Sequence, residues 1–394
     1  MRPHSIETDT RDLDDLRRRL EMTRFRPELP DEGWGSGTPQ PWLRDLVEHW
    51  LHRYDWRRTE AELNRMPQVV GEPAGLRVHA FHLRSPHPGA TPLLLCHGWP
   101  GSIVEFLDCL PALVHPTEHG GRPEEAFHVV LPSLPGFGLS GPTTRPGVDV
   151  PAIAAAFADL MTGLGYPRFL AQGGDWGGFV VRELGLEHPD RLIGVHTNFP
   201  WAVPPPDLED PFADVTPDER AVLEYNERVY GTDQGYYVQQ ATRPHTLGPA
   251  LEDSPAGLAS WLLEKFHTWS DTRDGTPFTL DRMLDNTMLY WLNGTATSAA
   301  RLYADSERYG SDPHVWGAGW RCRPVWRSIR TRRPARPGAG SNVSGTRSTG
   351  PSSLAGATSP PSSSPNSSPV TCGPSPASCR RGDDRGRSAA ETAQ

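Results

Sequence analysis

One aspartate in this sequence has the spacing that is typical of a nucleophile held on a sharp turn. Asp175 lies in the segment Gly173-Gly174-Asp175-Trp176-Gly177, between a predicted strand and a predicted helix. Small residues here allow a strained turn and the close approach of neighbouring backbone. The positive end of the following helix favours an anionic side chain. Asp175 is therefore a candidate nucleophile, and the alternative is an ordinary turn residue that caps a helix.

An aspartate at such a turn predicts different chemistry from a serine or a cysteine. A carboxylate that attacks carbon forms an alkyl ester and does not transfer an acyl group. The attacked carbon must carry a good or a strained leaving group, as in a carbon–halogen bond or an epoxide ring. The sequence therefore points to substrates of these two kinds.

A second segment, HGWPGS (97–102), follows an earlier predicted strand and would face the same turn. Such a loop supplies one backbone N–H of an oxyanion hole, and the residue after the nucleophile supplies the other. The expected donors are the amides of Trp99 and Trp176, and a cis bond is expected before Pro100. His97 precedes the nucleophile in the chain, so we expect it to bond loop backbone and not to act as the catalytic base.

Strand and helix patterns alternate around these two segments. Short apolar runs predict buried strands at 91–98, 126–138 and 191–199, whereas 168–186 has the pattern of a strand, a tight turn and a helix. Such alternation predicts right-handed crossovers and a parallel sheet. The predicted fold class is α/β, with an α/β-hydrolase fold, an N-terminal helical arm and an inserted helical lid.

Composition divides the chain into four predicted segments. They are an N-terminal arm (1–85), the first part of the core (86–200), a helical lid (201–308) and a divergent low-complexity tail (309–394). Within the lid, Thr216, Ser254 and Thr279 are predicted helix N-caps, and Ser102 is predicted to cap one helix over 103–114. Residues 331–394 contain a single Leu and no aromatic residue, Ile or Met, so we expect disorder there and missing last core strands.

The composition also limits the classes of partner. A net charge of −9 argues against nucleic acid as the main partner. No apolar run of about 18 residues and no signal-like N-terminus are seen, so we expect no membrane partner. Five cysteines at irregular spacing suggest neither disulfides nor a zinc site, which fits a reducing cytoplasm. No metal and no cofactor are predicted, and a homodimer is compatible with the sequence.

Three motifs together resemble the microsomal-type epoxide hydrolases. They are HGWPGS (97–102), PSLPGFGLSGP (132–142) and QGGDWG (172–177), and phrases of the arm and the lid are also similar to that family over about residues 8 to 308. The membrane anchor of some relatives is not found, so the resemblance implies a soluble form. It also implies a small-molecule epoxide as substrate.

The resemblance further implies that two lid tyrosines hold and protonate the epoxide oxygen. Tyr236, in GYYVQQATRP, falls on the first motif position and Tyr303, in SAARLY, on the second. Ring opening produces a basic alkoxide, to which a phenol can donate in a water-poor pocket. From helical spacing alone both would be amphipathic helix residues with an apolar body and a wet tip. Tyr237 is the nearest competitor for the first role.

The histidine that would activate water in the family, and the acid that would orient it, are not found in this sequence. The only histidine after Tyr303 is His314, too close to the lid, and no acid lies between Asp312 and Asp383. The change is abrupt near Trp320. Our hypothesis is a reading-frame shift in a GC-rich gene, and the alternative is a natural disordered tail. Resequencing tests it, since a confirmed gene whose other frame lacks a glycine–glycine–histidine segment contradicts it.

The sequence thus predicts an epoxide hydrolase that converts epoxides to vicinal diols through an ester on Asp175. Without the histidine and its acid, we expect the ester to persist. Two alternatives stay open, which are a hydrolase like the haloalkane dehalogenases and an inactive epoxide-binding pseudo-enzyme.

Overall fold

The computed structural model describes residues 1–27, 32–199, 210, 212–273 and 275–309. The predictions for the tail, including its disorder, the missing last strands, the frame shift and His314, lie outside these residues.

A mixed sheet forms the centre of the described chain. Its strands lie in the order β1-β2-β3-β5-β4-β6-β7. They are β1 (Arg2–His4), β2 (Gln68–Gly71), β3 (Val78–Leu83), β4 (Thr91–Cys96), β5 (Phe127–Pro132), β6 (Phe169–Gly173) and β7 (Leu192–Thr197). The expected parallel pairing holds for β4 with β5, β4 with β6 and β6 with β7. The strands from β1 to β3 pair antiparallel, as does β3 with β5, so the sheet is mixed and its parallel part is β5 to β7.

Helices cover both faces of this sheet. They are α1 (Thr10–Glu21), α2 (Gln40–His52), α3 (Trp56–Asn64), α4 (Leu110–Val114), α5 (Val150–Gly163), α6 (Trp176–Glu187), α7 (Pro217–Thr232), α8 (Gly235–Thr242), α9 (Pro244–Asp253), α10 (Pro255–Thr268), α11 (Leu280–Asn293) and α12 (Ala296–Tyr309). Alternate residues of β4 point to opposite faces. Leu94 packs in the core with α5 and α6, whereas Leu93 and Leu95 pack in the core with the arm helices α1 to α3.

The arm helices bury the faces that the periodicity predicts, with one exception. Leu16 and Leu20 of α1 and Leu46 and Trp50 of α2 are buried. Met22, which directly follows the last residue of α1, is 70% exposed. The reason is that α1 ends at Glu21, so Met22 no longer follows the helical repeat.

The helix predicted over 103–114 is broken into two pieces. A 3-10 turn covers Ile103–Phe106, and α4 begins only at Leu110. Pro111 has no backbone N–H, so a continuous helix would lack a hydrogen bond there. Ser102 does cap the first piece, because its hydroxyl accepts from the Val104 amide.

The lid helices begin where the sequence predicts. Thr216 forms a capping box with Glu219 at the start of α7, with Pro217 at the first helical position. Ser254 and Thr279 cap α10 and α11. Helix α12, at the end of the lid, packs against the lid helices α8 and α9. Within the described ranges, no helix has both the length and the apolar character that crossing a membrane requires.

Candidate active site

Asp175 occupies a strained turn between β6 and α6. Its φ is 50° and its ψ is −129°, a left-handed conformation that non-glycine residues rarely adopt. Such strain costs on the order of 1–3 kcal/mol and persists only where the surroundings enforce it. A Cβ at Gly173 would overlap the backbone of Gly177, and one at Gly177 would overlap that of Cys96. The small residues of the motif are therefore required by close packing of three backbone segments.

Two backbone amides hold the Asp175 carboxylate. The Trp99 N–H donates to Oδ1 at 2.8 Å, and the Trp176 N–H also bonds the carboxylate. Burial raises the pKa of Asp175 to about 6, and these two hydrogen bonds oppose the rise. An ordinary helix cap behaves differently, as Asp149 shows by accepting from the Ala152 amide inside α5. The geometry thus separates Asp175 from the capping alternative.

His97 supports the loop and does not face the carboxylate as a base. Its Nε2 accepts from the Leu134 amide at 3.0 Å, and its Nδ1 bonds the Gly98 carbonyl oxygen at 2.9 Å. Burial lowers its pKa to about 4, so the ring is neutral at neutral pH. Both ring nitrogens are therefore engaged with backbone, as the sequence predicted, and the Trp99–Pro100 bond is cis as expected.

An aromatic cluster contains both tyrosines singled out in the sequence. Tyr236 stacks on Trp99 with ring centroids 5.1 Å apart and planes 3° from parallel. Tyr303 lies edge-on to Trp176 at 4.7 Å and to Tyr236 at 6.0 Å, and it is 2% exposed. Burial first, and then the charge of Asp175, raises the pKa of Tyr303 well above its usual value. The structure therefore places Tyr236 and Tyr303 beside the two tryptophans whose amides bond Asp175.

Tyr237 points to a different partner. Its hydroxyl donates to the Glu307 carboxylate, although its ring still lies 5.3 Å from that of Tyr303. Burial and Glu307 raise the pKa of Tyr237. The Tyr237 hydroxyl is therefore bonded to a carboxylate of α12.

Sequence reasoning missed several residues around this cluster. Trp269 lies edge-on to Tyr236 at 5.1 Å, and the Lys265 ammonium lies over the Tyr236 ring. The one available signal was that Lys265 is the only lysine of the chain. On the other side of the loop, Asn286 donates to the Pro100 carbonyl oxygen at 2.8 Å and Tyr290 to that of Gly101 at 2.7 Å. These lid contacts hold the segment that carries the Trp99 amide.

Glu105 is a second carboxyl close to Asp175. Its side chain fills the space that a Cβ at Gly101 would need, and the Gly98 amide donates to it. Burial first, and then the charge of Asp175, raises the pKa of Glu105 to about 8. The Gly98 loop is therefore flanked by two carboxyl groups.

Replacing Glu105 with glutamine should stabilise the protein at high pH and not at low pH. Folding raises the pKa of Glu105, so the folded protein binds more protons than the unfolded chain between about pH 4.5 and pH 8. The contribution of Glu105 to stability is thus fully present below about pH 4.5 and is lost as the pH rises through 8. Urea unfolding should show E105Q more stable by about 2 kcal/mol at pH 9, after allowance for partial exposure, and nearly unchanged at pH 5.

The exposed Glu118 offers a matched control for this measurement. E118Q should change the free energy of unfolding by less than about 0.5 kcal/mol, as substitutions at exposed positions usually do. An E105Q difference of equal size at both pH values would contradict the assignment.

No group of three or more His, Cys, Asp or Glu side chains arranged to hold a metal ion is found where the structure is described. The site consists instead of a carboxylate, backbone amides and phenols.

Two family models match the chain. One is described as "Epoxide hydrolase N terminus" and matches residues 1–106, and the other is described as "alpha/beta hydrolase fold" and matches residues 91–223. A Stigmatella aurantiaca protein with a provisional epoxide hydrolase name is 47% identical over 303 residues, which are 76% of this chain and 68% of that protein. Epoxide hydrolase 1 of Sus scrofa is 34% identical over 329 residues, or 78% of this chain and 72% of that one.

Solved structures agree with this likeness. The juvenile hormone epoxide hydrolase of the silkworm Bombyx mori has a TM-score of 0.70 at 33% identity, covering 77% of this chain and 76% of that chain. The epoxide hydrolase of Aspergillus niger has a TM-score of 0.68 at 32% identity, with coverage of 77% and 78%. The predicted α/β-hydrolase fold is thereby confirmed. The chain belongs to the epoxide hydrolase family and is, by family, a hydrolase.

Proposed function

We propose that Asp175 opens a small-molecule epoxide by attack of its carboxylate on a ring carbon. A bond forms between a carboxylate oxygen and that carbon, and the carbon–oxygen bond of the ring breaks. The electron pair goes to the ring oxygen, which takes a proton from Tyr236 or Tyr303. The product is a hydroxyalkyl ester of Asp175, and the tyrosine regains its proton from solvent.

The observation that supports this mechanism is that the same two tryptophans contact both Asp175 and the tyrosines. The backbone amides of Trp99 and Trp176 bond the Asp175 carboxylate, and their rings pack against Tyr236 and Tyr303. A phenol whose pKa is raised, as for Tyr303, stays protonated at neutral pH and can therefore act as an acid.

The same two amides suit the second half of the reaction. Water attack on the ester would place negative charge on its carbonyl oxygen, which is the carboxylate oxygen that did not bond the epoxide carbon. The Trp99 and Trp176 amides already bond this carboxyl group. Loss of one such donor typically costs about 3 kcal/mol of barrier. We therefore propose these amides as the oxyanion hole.

Adduct formation tests this function. The chain is mixed with excess styrene oxide, and intact mass and peptide mapping follow one added epoxide on the peptide that contains Asp175. Only the ionised carboxylate attacks, so the rate should rise with pH through a midpoint near 6. An adduct on another peptide, or chloride release from a chloroalkane in its place, would contradict the proposal.

Removing both lid hydroxyls should slow this adduct formation strongly. The double variant Tyr236→Phe, Tyr303→Phe keeps the ring packing and loses both acids, so the rate should fall by about 10²–10⁴-fold. Each single variant should lose less, because one donor remains. Rapid-quench mass spectrometry measures the rates. Tyr237→Phe is the matched control and should stay within a few-fold of the parent; a Tyr237→Phe loss equal to that of the double variant would reassign the first donor.

We also propose that the protein acts in the cytoplasm. Cys96 and Cys109 are free thiols among the described cysteines, which is compatible with a reducing cytoplasm. The exclusion of nucleic acid and the compatibility with a homodimer stay predictions from the sequence.

A further inference from the structure

Lys265 is a buried cation next to the first lid tyrosine. It is the only lysine of the chain, and its side chain on α10 is 7% exposed. The ammonium nitrogen lies 5.0 Å from the centre of the Tyr236 ring and 5.4 Å from that of Trp269. Both distances are within the range of a cation–π interaction.

Two carboxylates hold this ammonium in place. Asp233 Oδ1 lies 2.6 Å from Nζ, and Glu264 Oε2 lies 2.8 Å from it. Asp233 also accepts from the Trp269 indole N–H at 2.8 Å. The position of Lys265 is therefore set by the same carboxylate that orients Trp269, and Trp269 packs against Tyr236.

Stability alone gives a weak reason for such a group. Taking charges out of water costs several kcal/mol per ion, and an apolar side chain of similar volume is often as stable. An ammonium beside an aromatic ring does, however, counter negative charge that develops on that ring. Tyr236 acquires such charge when it gives up its proton to the opened epoxide.

We propose that Lys265 is a positioning residue for ring opening, which holds the Tyr236 ring against Trp99 and counters the negative charge that grows on the Tyr236 oxygen. This inference rests on the proposed acid role of Tyr236. Without the ammonium, the carboxylates of Asp233 and Glu264 would lose the cation that they share, close to the Tyr236 ring. Asp175 and Tyr303 carry no positive charge at any stage of ring opening, so they do not replace Lys265.

The test is a double-mutant cycle on single-turnover adduct formation with styrene oxide. Lys265→Met keeps an unbranched side chain that is one atom shorter and removes its charge, and we expect a loss of about 10–100-fold. In the Tyr236→Phe background, the same change should cost less than about 3-fold, because no proton leaves residue 236. Adding Asp233→Asn to Lys265→Met should recover part of the rate, because one uncompensated carboxylate becomes neutral.

Arg19 provides a matched control. It is a cation on α1 bound to the carboxylates of Asp15 and Asp253, at 2.5 Å and 2.6 Å. Arg19→Met should leave the rate within about 3-fold. An equal loss from Lys265→Met in both backgrounds would show a merely structural role and overturn the inference, as would an unchanged rate in the parent background.

A tyrosine absorbance titration separates this inference from the proposed function. Lys265→Met should move the ionisation of one tyrosine to higher pH, and Tyr236→Phe should remove that difference. If the parent chain forms no adduct, the proposed function fails, and the titration still decides the effect of Lys265 on Tyr236. Superimposable titrations of Lys265→Met and the parent would overturn the inference.

Discussion

Replacing Asp175 with asparagine is expected to lower the rate of covalent adduct formation by at least about 10⁴-fold, in line with the loss of other covalent nucleophiles. An amide oxygen is a far weaker nucleophile than a carboxylate, and no other carboxylate is bonded by the amides of Trp99 and Trp176 in the described residues. Asparagine also tolerates the left-handed backbone at this position, so the turn should be kept. Intact mass after treatment with styrene oxide measures the loss.

Asp149→Asn is the control for this variant. Asp149 is a mostly buried aspartate that caps α5 through the Ala152 amide, and asparagine caps helices as well. Adduct formation should therefore continue in Asp149→Asn. If Asp175→Asn still forms the adduct on the same peptide at the parent rate, Asp175 is not the nucleophile.

The second large effect concerns hydrolysis of the ester on Asp175, the step that would release the diol. We expect one adduct per chain and little diol, because a positioned base contributes about 10²–10⁴-fold to water attack and none is identified. His97 is not available for this role, since both of its ring nitrogens bond backbone. The histidine of the family pattern is not found in the sequence after the lid, where only His314 lies.

A time course of intact mass and of diol released per chain measures this expectation. The adduct mass should persist for hours after excess epoxide is removed, and hydroxylamine, which cleaves esters, should release it. Diol well above one equivalent per chain would show that the chain supplies a base that we have not identified.

The parts of this site that the sequence predicted are local in the chain. The turn at Asp175, the loop that carries Trp99 and the caps at Thr216, Ser254 and Thr279 each depend on a few consecutive residues. Tyr236 and Tyr303 were assigned from a family motif, because helical spacing alone favoured surface roles. The turn, the loop and the caps are each part of a segment whose own residues determine its conformation.

The parts that the sequence did not predict depend on contacts between distant segments. Lys265 of α10 and Asp233, which lies between α7 and α8, are bonded although they are 32 positions apart, and no local sequence pattern predicts the pair. Strand β1 has three residues and shows no apolar alternation, since it is an edge strand that pairs only with β2. Glu105 gained its altered pKa from its burial near Asp175, which lies 70 positions away in the chain.

The N-terminal arm is linked to the geometry at Asp175 although none of the bonds described above joins the arm to Asp175, Tyr236 or Tyr303. The hydroxyls of Tyr54 and Thr59 donate to Asp285 at 2.9 Å and 2.6 Å, which anchors α11 to the arm. The next residue of α11, Asn286, bonds the Pro100 carbonyl oxygen. The direction of the Trp99 N–H therefore depends on contacts that lie outside the sheet. Weakening the contacts of residues 54–59 with α11 would displace this N–H, and with it the Asp175 carboxylate.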